Sequence, residues 1–85
     1  MDTTIPSSRQ VAIKSAEAYW VTAGEWNGIY GTSYEIGIRQ KSNREQFWLI
    51  QGRWNERTIV KAAEAVMILL NGGLTPTEIA DEILN

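Results

Sequence analysis

The sequence predicts an α+β domain: an N-terminal helix, a meander of two or three antiparallel strands, then a long and a short helix packed on one face of the sheet. Three observations carry this expectation. Ile59, Ala63, Val66, Met67 and Leu70 recur at helical spacing. Tyr34, Ile36 and Ile38 alternate with Glu35, Gly37 and Arg39, the period-2 pattern of a half-buried strand. With 85 residues, 44% hydrophobic and 21% charged, the chain suits one compact core and is too apolar for a disordered polyelectrolyte.

Residues 1–7 read as a flexible arm, and residues 8–85 as the single domain. Ser7 followed by Gln10 fits a capping box. Val11, Ser15 and Tyr19 then share one helical row, and Ala12, Ala16 and Trp20 the next. The alanines favour helix over about 8–20, while Tyr19-Trp20-Val21 carries strand propensity, so strand stays the competing reading. Lys41-Ser42-Asn43-Arg44 is a turn cluster. Phe47-Trp48-Leu49-Ile50 makes the next strand, apolar on both sides as expected of a central one. Trp26, Ile29 and Tyr30, between Gly24, Gly28 and Gly31, suggest a shorter third strand; a lone hairpin would be only marginally stable.

Asn55 is the expected N-cap for the long helix, and Gly72-Gly73 provides a left-handed stop. Thr75-Pro76-Thr77-Glu78 starts the short helix: Thr75 caps, Pro76 occupies the first turn where its missing N–H costs nothing, and Glu78 closes the box. Ile79, Ile83 and Leu84 form its packing face. The segment from Asn71 to Ala80 resembles the stretch of helix-turn-helix regulators in which a glycine turn leads to a capped helix ending in Glu-Ile-Ala. In that motif a recognition helix follows, and residues 81–85 hold none, so no family is assigned on it.

The composition excludes several kinds of chemistry. Without cysteine there is no disulfide, thiol nucleophile or thiolate-bound zinc; without histidine there is no imidazole base or ligand. No glycine-rich phosphate loop stands between a strand and a helix. Asp81 and Glu82 fit a solvated helix face. A non-enzymatic protein with no cofactor and no metal is therefore expected. No secretory signal is read in residues 1–10, and the longest apolar run, Ala65 to Leu70, is too short to span a bilayer. A cytoplasmic protein with no membrane partner is expected.

Charge is unevenly spread. Between 39 and 61 lie Arg39, Lys41, Arg44, Arg53, Arg57 and Lys61 against Glu45 and Glu56, whereas residues 62–85 carry only acids. Trp48 and Trp54 interleave with the basic stretch. Guanidinium groups beside indoles suit a ligand with phosphate and a base, and they also suit an acidic protein surface. Arg53, Trp54 and Arg57 are the first-choice binding residues, because they flank the start of the long helix, where free N–H groups add positive potential. Arg39, Lys41, Arg44, Lys61 and Trp26 complete the candidate set. The expected function is a small binding or regulatory protein, of the inhibitor or accessory-factor type, acting by protein–protein interaction. The alternative is a nucleic-acid or phosphate-ligand module using residues 39–61. A homodimer is also expected, in which the long helix or a sheet edge meets its twin.

Overall fold

In the computed structural model, which describes residues 7–52 and 55–84, four strands precede two helices. The strands are β1 (Ser7–Ser15), β2 (Tyr19–Gly28), β3 (Gly31–Gln40) and β4 (Gln46–Gly52), and the helices are α1 (Glu56–Asn71) and α2 (Pro76–Leu84). The sheet is a plain antiparallel meander in the order β1-β2-β3-β4. Residues 1–6 of the expected arm lie outside the described residues, and Ser7 already belongs to β1.

The N-terminal helix expected over 8–20 is not formed. Those residues are β1, a turn at Ala16–Ala18 and the start of β2, so the sheet has four strands where two or three were expected. Ser7 and Gln10, expected to cap a helix, are strand residues. The third strand placed around Trp26–Tyr30 begins earlier, at Tyr19, and Ile29 and Tyr30 are the tip of the β2–β3 hairpin. The physical reason is coverage of the core. A helix of 16 residues, about 24 Å long, needs a broad sheet against it; β1, β2 and β3 together supply one.

Alternation decides which side of each strand meets the helices. Val21 and Ala23 on β2 pair with Ile38 and Ile36 on β3, and all four are fully buried. Ile59, Ala63, Val66 and Leu70 of α1 close over them, and Ile79 of α2 completes the core. Two irregularities in register adjust the edges. One lies between Gln10 and Ala12 of β1, where Val11 and Ala12 both pack against the core. The other lies where β4 passes Ile36 and Gly37, where Leu49 is buried and Ile50 packs beside it. Such bulges let consecutive residues face the same side. Strand β4 is an edge strand, contrary to the central position its apolar run suggested.

The helix termini follow the signals in the sequence. Asn55 Oδ1 accepts from Thr58 N at 2.7 Å. At the other end Leu74 N donates to Leu69 O and Gly73 N to Leu70 O, with Gly73 at φ 101°, a left-handed stop that glycine adopts without strain. Glu78 N donates to Thr75 Oγ1 at 3.2 Å, while Thr75 N donates to Glu78 Oε1 at 3.2 Å. Ile79 is buried as expected; the side chains of Ile83 and Leu84 lie outside the described residues. Among the described residues no helix is long and apolar enough to cross a membrane.

Candidate aromatic sheet face

The helices cover one side of the sheet and leave the other open. On that open side, pairing places Ile13, Thr22, Gly37 and Trp48 in one row across all four strands. The next row in one direction holds Ser15, Trp20, Arg39 and Gln46. In the other direction stand Gln10, Gly24, Glu35 and Gln51, with Trp26 beyond them on β2. Ile13, Trp20, Thr22, Glu35, Arg39 and Trp48 are among the residues that line a shallow concavity of about 260 Å³.

The apolar members are accessible. Trp48 is 59% exposed, Ile13 52% and Trp26 42%. The floor beneath them is flat because two positions lack side chains. A Cβ at Gly37 would stand 2.9 Å from Trp48 Cζ3 and 3.0 Å from Thr22 Oγ1, so the indole lies directly over the β3 backbone. Above Gly24 the Glu35 side chain passes at 3.5 Å from where a Cβ would be. Among the described residues Arg39 makes one long hydrogen bond, from Nη2 to Gln46 Oε1 at 3.4 Å. Neither Arg39 nor Glu35 forms an ion pair among the described residues. Trp20 is braced from the side: Lys41 Nζ stands 5.6 Å from its ring centroid, a cation–π distance.

A second polar cluster sits on the helix side and serves the fold. Glu25 Oε2 accepts from Arg9 Nη2 at 2.7 Å, and Oε1 accepts from Asn27 Nδ2 at 2.8 Å. Tyr34 Oη donates to Oε2 at 3.3 Å, and Arg9 also approaches Glu56 Oε1 at 3.5 Å. The Asn27 hydrogen bond and then Arg9 hold the Glu25 carboxyl below the usual glutamate range, against the opposite pull of burial. Burial, with Glu25 beside it, pushes the Tyr34 hydroxyl up. These contacts join β1, β2 and β3 to the start of α1.

The candidates chosen from the sequence are dispersed. Arg39 is on the open face. Lys41 is committed internally, donating to Ser15 Oγ and Ala16 O, both at 2.8 Å. Arg44 is at the β3–β4 turn with φ 59°. Arg57 and Lys61 are exposed on α1, the layer on the opposite side of the sheet. Trp26 is on the open face near the hairpin tip; Arg53 and Trp54 lie outside the described residues. Ile13, Trp20, Glu35 and Trp48, which build the centre of the face, were not among them. Their signal in the sequence is apolar residues on both sides of a strand, Trp48 beside Leu49 above all. No family model, no curated protein and no solved structure matches this chain.

Proposed function

We propose that the chain is a small non-enzymatic binding protein of the cytoplasm, of the inhibitor or accessory-factor type, that acts by protein–protein interaction through the open face of its sheet. One observation carries this reading: Trp48 and Ile13, each more than half exposed, stand in the same cross-strand row on a face that neither α1 nor α2 covers. Contiguous exposed apolar surface marks contact sites, and tryptophan is the residue whose burial most often dominates an interface. The nucleic-acid alternative has less support. Glu35 shares the face with Arg39, so a phosphate backbone would meet both signs of charge, and Arg57 and Lys61 stand on the other layer.

The test compares the intact chain with Trp48→Glu, a change at an exposed position that leaves the core untouched. Each is immobilised and exposed to a lysate of the organism that encodes it, after thermal melting shows equal stability. The expected result is a protein retained by the intact chain and lost, at least tenfold, from the variant. Retention by both, or recovery of nucleic acid in place of protein, overturns the reading.

A further inference from the structure

We infer that the occupant of the open face is a second copy of this chain, docked sheet to sheet about a two-fold axis that runs across the strands along the Ile13–Thr22–Gly37–Trp48 row. The inference rests on the protein-binding reading of this face and names its partner. The face is complementary to itself. A two-fold axis lying between two packed sheets, perpendicular to the strands, sets each strand antiparallel over its own copy. The residue in the row on one side of the axial row then lies over the residue of the same strand in the row on its other side in the other protomer.

On β3 the axial residue is Gly37, so Arg39 of one protomer comes over Glu35 of the other, and the pair occurs twice. On β2 the axial residue is Thr22, so Trp20 comes over Gly24, beside the Glu35 side chain that crosses it. On β4 Gln46 comes over Gln51, and on β1 Ser15 over Gln10. Along the axis Ile13 on β1 and Trp48 on β4 each meet their own copies, with Thr22 and Gly37 between them. Opposite charges meet on β3, and amide or hydroxyl groups meet on β1 and β4. A foreign partner would not require cation and anion to be placed symmetrically about one row. An isologous interface does require it. Face-to-face sheets pack about 10 Å apart and about 30° off parallel, which long side chains such as arginine and glutamate span without moving the axial row.

Four strands at about 4.8 Å and ten residues at about 3.3 Å make a face of roughly 15 by 30 Å. That is at the small end of specific interfaces, so a dimer that dissociates on dilution is expected.

Two charge reversals test it. Glu35→Arg sets arginine against the partner's Arg39, and Arg39→Glu sets glutamate against the partner's Glu35; both positions are outside the core, and thermal melting confirms folding. Light scattering after size exclusion, at high micromolar concentration, is expected to give twice 9.6 kDa for the intact chain and the monomer mass for each reversal alone. Mixing the two variants is expected to restore the dimer, because substituted position 35 of one then faces substituted position 39 of the other with opposite charge. A monomeric intact chain overturns the second copy as occupant; so do single reversals that remain dimeric, or a mixture that remains monomeric. If the intact chain is monomeric while Trp48→Glu still abolishes capture of another protein, the face stands as a binding surface and only its occupant is wrong. A dimer that Trp48→Glu leaves intact, with capture also unchanged, overturns both.

Discussion

Three side-chain hydrogen bonds converge on Glu25. Its carboxylate accepts from Arg9, Asn27 and Tyr34, and through Arg9 it reaches Glu56 in the first turn of α1. Because its folded-state pKa lies below the unfolded one, ionised Glu25 favours the native state. That contribution is complete above the unfolded glutamate pKa of about 4.3 and is lost as pH falls through the lower folded value. Glu25→Gln is therefore expected to melt below the parent chain at neutral pH, with the difference narrowing once pH drops under about 4. Melting curves from pH 7 to 3 check this, and a constant difference across that range would contradict it. Gly37 makes a different demand at the same scale: any side chain there would displace the Trp48 ring from the β3 backbone.

At the scale of elements, α1 starts where Asn55 caps it and stops where Gly73 turns left-handed. Removing the cap by Asn55→Ala is expected to cost about 1 kcal/mol, lowering Tm by roughly 5 °C for a domain this size. Urea unfolding followed by circular dichroism measures it; a loss near zero would mean that the Asn55–Thr58 hydrogen bond contributes nothing. Both helices were legible because their caps and stops are local chemistry, carried by Asn55, Gly73, Thr75 and Glu78. The β3 strand was legible because Ile36 and Ile38 face the core while Glu35 and Arg39 do not. Strands β1 and β2 were not, and the open face is the reason. Ile13, Trp20 and Trp26 point away from the core, and the bulge at Val11 sets two successive apolar residues toward it. Alternation disappears, and alanines at helical spacing take over the pattern. The same cause made β4 read as central, since Trp48 and Leu49 are apolar on opposite sides of an edge strand.

As a whole the molecule is two layers, one sheet and one tier of helix, and its least extent is 19 Å. Antiparallel sheets tolerate water on one side, and that side is ordinarily polar. Here it carries tryptophan and isoleucine across its full width, with Arg39 and Glu35 set evenly about the middle row. Among the described residues the basic side chains that stand out in the sequence fall in two groups: Arg39, Lys41 and Arg44 are at one end of the sheet, and Arg57 and Lys61 are on the helix layer. Their nearness along the chain did not become nearness in space, because β4 carries the chain from the first group to the other end before α1 begins. The central claim is that the open sheet face, and no surface of α1, is where this protein makes contact. Amide chemical shifts of the isotope-labelled chain, followed from low to high micromolar concentration, test it most directly. The account predicts shifts that grow with concentration at Ile13, Thr22, Gly37 and Trp48 and their neighbours, with Arg57, Lys61 and Ile68 unchanged. Shifts confined to the exposed side of α1, or none at any concentration, would contradict it.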